Sequence, residues 1–381
     1  MRLAVDQIRI PCVVMRGGTS RGAFFHRDDL PADPALRDAV LVAAMGSGNP
    51  LQVDGIGGGN PLTSKVAIVS TSKRPDADLD YLFAQVNVER AYVDTKPNCG
   101  NMLAAVGPYA LEAGLIEARA PRTTLRIYNV NTDAVIEATV ETPGGVPTYA
   151  GDCRIDGVNG TGSPVRLNFT ASEGAVTGML LPTGRAKDII DGIEVSVIDY
   201  AVPVMFVRAE DVGLAGDETP ALLNANRPLF ERLEGLRLEA GRRAGLGDVS
   251  GSVLPKVAVV SKPDHEGSVR SRYFTPTTAH ESYPVTGGLC LAVASCLPGT
   301  VVSEITSRRV QGTGVTGIEH PVGMLEIEIA LSRKGANHSP ISSASLVRTA
   351  RRIFDGFVYV PRQVMEAVTA PVPNGLIHRA A

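Results

Sequence analysis

Cys99 stands between Asn98 and a Gly-Asn pair, directly ahead of the apolar run Met102-Leu-Ala-Ala-Val106. A thiol at a helix start meets unpaired backbone N–H groups and the positive end of the helix dipole, and both favour the thiolate. The same N–H groups can hold a carboxylate. Cys99, Gly100 and Asn101 therefore combine a proton-transfer group with an anion cradle. Lys65 is the second position of interest. It heads the run Val66–Val69 and shares one strand face with Ala67 and Val69, while Ser64, Val66, Ile68 and Ser70 take the other. A lysine on an apolar face either snorkels at an edge or points into a cleft, where burial frees the neutral amine to act as a base. For Cys99 the alternatives are a buried structural thiol or a redox sensor.

Three further groups could receive an anion. Arg16 and Arg21 bracket Gly17-Gly18-Thr19-Ser20, a loop offering backbone N–H groups, two hydroxyls and a guanidinium. The same residues would also make an ordinary hairpin turn with surface arginines. The glycine run Asp54–Asn60 lets backbone approach a ligand closely, yet matches neither a P-loop nor the dinucleotide fingerprint. Arg272 and His280 precede a second helix start and are candidates for another carboxylate, although a lone histidine is commonly structural. The six histidines (26, 265, 280, 320, 338, 378) form no His-x-x-x-His pair and the cysteines no Cys-x-x-Cys pair, so no metal is expected. No motif for nicotinamide, flavin or pyridoxal phosphate is present, and no cofactor is expected.

The elements that must position these groups are mostly strands. The 381 residues, 44% hydrophobic, contain 40 glycines and 26 prolines that punctuate short β-branched runs such as Val66–Val69, Val257–Val260 and Met324–Ala330. Helices are expected over Pro34–Met45, Met102–Ala113, Pro220–Ala244, Leu289–Leu297 and Ser342–Phe354. That mixture predicts an α+β chain on antiparallel sheets. The formal net charge of −3 and the scattered basic residues argue against nucleic acid. Met1–Ile8 lacks the apolar core of a signal peptide, and no apolar run reaches 18 residues. The five cysteines have no close pairing, which points to free thiols in a cytoplasmic protein with no membrane contact.

An internal repeat decides the architecture. Leu62-Thr-Ser-Lys-Val-Ala-Ile-Val-Ser70 matches Val253-Leu-Pro-Lys-Val-Ala-Val-Val-Ser261. The segment from Cys99 matches Thr286-Gly-Gly-Leu-Cys-Leu-Ala-Val293, and Phe25-His-Arg-Asp-Asp-Leu30 matches Phe206-Val-Arg-Ala-Glu-Asp-Val212 with one insertion. Three matches in the same order imply two copies of one fold. In each copy the run after the glycine pair is apolar all round and must be enclosed. A sheet wrapped around a central helix follows, with both helix starts opening on a cleft between the copies. By this repeat Lys256 is the counterpart of Lys65, read as structural, and Thr286, Gly287 and Gly288 form the second wall.

The motifs Met15-Arg-Gly-Gly-Thr-Ser-Arg-Gly22, Val53-Asp-Gly-Ile-Gly-Gly58, Thr63-Ser-Lys-Val66 and Asn98-Cys-Gly-Asn101 resemble the hallmarks of the PrpF isomerase family. The resemblance runs over essentially the whole chain, including His280 and Thr286-Gly-Gly288. It implies the diaminopimelate epimerase fold, with two similar domains and a cofactor-free site between them. Asp80-Tyr-Leu-Phe-Ala-Gln85, Tyr149-Ala-Gly-Asp152, Arg154-Ile-Asp-Gly157 and Leu181-Pro-Thr-Gly184 are most similar to the 4-oxalomesaconate tautomerases of bacterial gallate and protocatechuate breakdown. The other characterised branch isomerises 2-methylaconitate. The parent epimerases carry a cysteine at both helix starts, whereas this chain has Thr286 at the second, with Cys290 one turn deeper. A hydroxyl is no base near neutral pH, so a thiol and another group, Lys65, must share the proton traffic.

The resulting expectation is an isomerase that shifts a proton and a double bond beside a ketone in a small tricarboxylate. Lys65 and Cys99 are the catalytic pair. Arg16, Gly18, Thr19, Ser20, Arg21, Ser64, Gly100, Asn101, Arg272, His280, Thr286, Gly287 and Gly288 are expected to bind the substrate. A non-catalytic polycarboxylate-binding protein is the alternative of another class. The domains are placed at 1–188 and 189–381, with Gly356–Pro361 returning to the first sheet, and a homodimer is carried as an expectation.

Overall fold

A computed structural model describes residues 6–96, 98–169, 172–275, 278–332 and 340–367. Met1–Val5, His338 and His378 therefore lie outside the described residues. Among the described residues seventeen strands join into one continuous sheet, and seven α-helices pack on it.

The repeat is visible as topology. In the first half the hairpin Gln7–Gly17 and Ser20–His26 is followed by Lys65–Thr71, parallel to the hairpin's second strand, and then by antiparallel Leu79–Val86. In the second half Ile193–Tyr200 and Val202–Arg208 form the hairpin, Lys256–Ser261 runs parallel to it, and Val269–Thr275 runs antiparallel. Each hairpin ends in a 3-10 turn, Arg27–Asp29 or Glu210–Val212, at the Phe-x-Arg match. A long helix follows in each half, Gly100–Glu112 and Val285–Cys296. Its return strand, Arg122–Asn129 or Thr313–His320, joins the sheet in parallel. The other pairings are antiparallel, so the protein has the duplicated α+β architecture of the diaminopimelate epimerase-like fold.

Both central helices lie in one apolar core that includes Met102–Val106 and Leu289–Ala294, all essentially inaccessible to solvent. Inner-face strand residues such as Ala67, Val69, Ala258 and Val260 close over them. Outer helices cover the opposite sheet faces. Pro34–Met45 packs on Val66 and Ile68, and Arg227–Arg243 packs on Val257 and Val259.

Two helix expectations are corrected. Pro220–Ala244 is two helices, Pro220–Ala225 and Arg227–Arg243. Pro228 lacks the N–H needed to continue the first helix, and Asn226 caps the second by accepting the amide of Leu229 at 3.2 Å. Ser342–Phe354 lies in a 21-residue strand, Ile341–Pro361. Its composition suits a helix, but pairing with Pro164–Phe169 and Gly323–Leu331 overrides that local preference. The far end of this strand, from Ala350 to Pro361, pairs with Gln7–Gly17, so the last strand ties both copies together.

Candidate active site

The first helix begins with Cys99 as its N-cap, in an extended conformation and with no side-chain cap on the exposed amides. Three asparagines hold the approach to it. Asn129 donates to Asn98 Oδ1 at 2.6 Å, and Asn131 donates to the carbonyls of Phe83 and Thr95. The Cys99 carbonyl accepts the hydroxyl of Tyr81 at 3.2 Å. Burial, and secondarily the nearby thiol of Cys99, push Tyr81 well above its ordinary range, so it remains a donor.

The second helix begins at Val285 behind Pro284, again without a side-chain cap, and the two starts face each other. A Cβ added to Gly100 would lie 2.7 Å from the Val285 side chain. Thr286 is half-buried in the first turn of this opposing helix. Cys290 is fully buried, gives its thiol hydrogen to the Ile198 carbonyl at 3.3 Å, and is pushed far up by burial. It belongs to the core, not to the cleft.

Lys65 is buried on the inner face. Its Nζ donates to Gln85 Oε1 at 2.6 Å and sits 5.1 Å from the centroid of the Phe83 ring. Tyr81, Phe83 and Gln85 alternate along one strand face, so a single row of side chains joins the Cys99 carbonyl to the Lys65 amine. Ser64 faces the other way and is fully engaged, accepting from Gln52 and donating to the Val86 carbonyl. The structure places it in the outer layer, not beside Lys65.

The Arg16–Arg21 loop is a tight hairpin lying on the first helix start. Gly18 has a left-handed φ of 52°, and a Cβ there or on Gly17 would collide with Asn101. Asn101 donates to Thr19 at 3.0 Å, and Ser20 is buried with a hydroxyl that takes no hydrogen bond within the protein. Arg16 instead braces the loop from behind, donating to the carbonyls of Gly18 and Thr349. Arg21 lies against Gly58, so the glycine run 54–60 accommodates the protein's own groups.

On the second side, His280 and Tyr273 have ring centroids 6.4 Å apart, and a Cβ on Gly287 would fall on the Tyr273 ring. Gly288 packs as closely on Leu325. Burial lowers the His280 pKa, and the charges of Lys65 and Lys256 lower it further. Nδ1 of His280 accepts the Ser282 amide at 3.0 Å, which leaves the proton of the neutral ring on Nε2. Arg272 is on the opposite strand face from Tyr273 and donates to the Glu218 carbonyl. It lines a pocket of about 460 Å³ with Asp217, Asp264, Glu319 and His320.

Several contributors escape sequence reading. Arg348, on the last strand, reaches Asn101 Oδ1 at 3.3 Å and has no acidic partner among the described residues. Desolvation brings it down to about 10. His320 lies near it and is pulled down to about 4 by burial and by the Arg348 charge. Nothing in a helical reading of Ser342–Phe354 would have aimed Arg348 here. Among the described residues no group of three His, Cys, Asp or Glu side chains could hold a metal, and no helix is long and apolar enough to cross a membrane.

The model of the PrpF protein family matches residues 7–361. The chain belongs to the PrpF family. A 4-oxalomesaconate tautomerase of Pseudomonas putida is 47% identical over 358 residues, covering 94% of this chain and 98% of that protein. A (4E)-oxalomesaconate Delta-isomerase of Novosphingobium sp. is 45% identical, covering 92% and 97%. The crystal structure of a methylitaconate-delta-isomerase superposes with a TM-score of 0.83 at 38% identity, covering 97% and 100%. A hydroxyproline epimerase from Agrobacterium vitis shares the fold at 13% identity and a TM-score of 0.55, covering 94% and 93%. This PrpF protein is thus an isomerase with an epimerase-like fold, with Cys99 at one of the two central helix starts and Thr286 in the first turn at the other.

Proposed function

We propose that this PrpF protein is a 4-oxalomesaconate isomerase, moving a proton and a double bond beside the substrate's ketone with Lys65 and Cys99 as its acid–base pair. What carries this reading is the asymmetry of the cleft. Cys99 opens the first helix, Thr286 takes the opposing position, and Lys65 is buried beside Gln85 on the same inner face. The identity to the Pseudomonas putida tautomerase supports the choice of substrate.

The chemistry follows from the substrate's own acidity. A hydrogen on the carbon beside the ketone is acidic because the carbanion left behind delocalises as a dienolate. Lys65, in its amine form, takes that proton and becomes an ammonium. The Cys99 thiol returns a proton to the far carbon and becomes a thiolate. A proton passing from Lys65 to Cys99, directly or through solvent, restores both groups, and the double bond has moved with no change in net charge. Helix-start amides and the Nε2–H of neutral His280 stabilise the negative charge on the enolate oxygen, while Arg348 holds a carboxylate.

Purified protein offered 4-oxalomesaconate or 2-methylaconitate in separate cuvettes, with absorbance followed over time, tests the substrate. Turnover of the first is expected, and exclusive turnover of the second would overturn this choice. In D₂O, proton NMR should show deuterium entering the substrate, which a mere polycarboxylate-binding protein would not produce.

A further inference from the structure

Lys256 is the counterpart of Lys65 in the second copy, and its surroundings are not those of a structural lysine. It shares a strand face with Ala258 and Val260, which close over the central helices, while Val257 and Val259 face the outer layer. Its side chain therefore heads inward, toward the helix starts. It is half-buried, and among the described residues its ammonium makes no hydrogen bond and no ion pair. A partly buried ammonium without a partner loses hydration and gains nothing in return, an arrangement that a ligand would complete.

The charges around it define that ligand. Lys256 feels Arg237 from the helix Arg227–Arg243 and Asp94 from the first copy, and it shares His280 with Lys65. Asp94 lies opposite Gln85 in the sheet register, beside the residue that holds Lys65, so the acidic charge that Lys256 feels comes from the first copy. Lys65 is held by an amide and Arg348 by an amide and a backbone carbonyl. Three basic side chains thus converge here, and among the described residues none is hydrogen-bonded to a carboxylate. A polyanion is the ligand that balances them.

We propose that Lys256 is a substrate-binding residue whose ammonium, beside the Nε2–H of His280, receives one carboxylate of a polycarboxylate on the second-copy side of the cleft. The inference rests on the proposed function only for the class of substrate. Lys256 anchors the molecule while Lys65 and Cys99 move its protons, which divides the two repeat-related lysines between binding and chemistry.

Tricarballylate, a tricarboxylate with no ketone or double bond, separates binding from turnover. Calorimetric titration of the full-length protein should show binding. Lys256→Met should weaken it by about 10- to 100-fold, the size of a lost charged hydrogen bond. Lys256→Arg should recover most of the affinity, with both variants melting near the wild type. The free amine is brought down to about 8 by burial and by Arg237, against Asp94. Wild-type affinity should therefore fall about tenfold per pH unit above that point, a limb that Lys256→Met lacks. With the turned-over substrate the loss should appear in KM, with kcat within a few-fold. Equal affinities for wild type and Lys256→Met, no tricarballylate binding by the wild type at millimolar concentration, or a loss confined to kcat would each overturn the proposal. Turnover of a different polycarboxylate with this pattern intact would overturn the proposed substrate and leave the role of Lys256 standing.

Discussion

Lys65 is held by an amide rather than a carboxylate, through a 2.6 Å hydrogen bond to Gln85 Oε1. The amide's direction is set by its other end, since Nε2 donates to the carbonyls of Pro61 and Ser64. A neutral acceptor orients the amine without locking it as an ammonium. A carboxylate in the same place would pair with the ammonium and deplete the free base. Gln85→Glu should therefore shift the rising limb of the kcat–pH profile to higher pH and lower kcat at neutral pH by about 10- to 100-fold. Lys65→Met should cost about 10²- to 10⁴-fold at every pH. A Gln85→Glu profile superimposable on the wild type would remove Lys65 from the role of base.

The thiols can be told apart chemically. Cys12 is pushed up to about 12 by burial, Cys290 further, and Cys153 and Cys296 are also raised by desolvation. Cys99 alone caps a helix start. Brief treatment with iodoacetamide near neutral pH should modify Cys99 first and abolish turnover in step with labelling, as followed by peptide mass spectrometry. Tricarballylate should slow both events together. Inactivation with Cys99 still unlabelled would show that another thiol carries the activity.

Gly100 tests the apposition of the two copies. In an exposed helix Gly→Ala stabilises by about 1 kcal/mol, because alanine is the better helix former. Here the added methyl would sit 2.7 Å from Val285 across the cleft. Overpacking of this kind costs about 1–3 kcal/mol, which reverses the sign. Gly100→Ala should lower the melting temperature and cut kcat by at least about tenfold, as the helix starts are forced apart. Val285→Ala in the same background should restore part of both. A Gly100→Ala protein as stable and active as the wild type would mean that the copies do not meet at this point.

The repeat made much of this legible in advance. Three matches in register predicted two copies, and the apolar runs after Cys99 and Thr286 predicted enclosed helices, because a helix without a polar face has nowhere else to go. Strand heads such as Lys65 and Lys256 could be aligned without knowing their surroundings. What escaped was long-range pairing. Ser342–Phe354 looks helical because its serines, alanines and arginines carry local preference only, while the two strands that capture it lie far away in sequence. Arg348 escaped with it. Ser64 shows what residue type alone leaves out: its hydroxyl is engaged inside the protein, accepting from Gln52 and donating to the Val86 carbonyl.

His320 should leave a mark on stability in acid. Its folded pKa is drawn down to about 4 by burial and the Arg348 charge, against an unfolded value of 6.5. The unfolded chain therefore binds a proton that the folded one resists. The resulting stabilisation is complete above about pH 6.5 and is lost as the pH falls through the window down to about 4. His280 is lowered by the same kind of burial and adds to the effect in the same direction. For a half-buried ring the contribution of His320 is on the order of 2 kcal/mol. Denaturant melts at a series of pH values should show this loss, and His320→Gln should flatten it while leaving stability at pH 8 within about 1 kcal/mol of wild type. If the acid slope is unchanged in His320→Gln, the folded protein accepts the proton on this ring as readily as the unfolded chain does, and Arg348 does not oppose it.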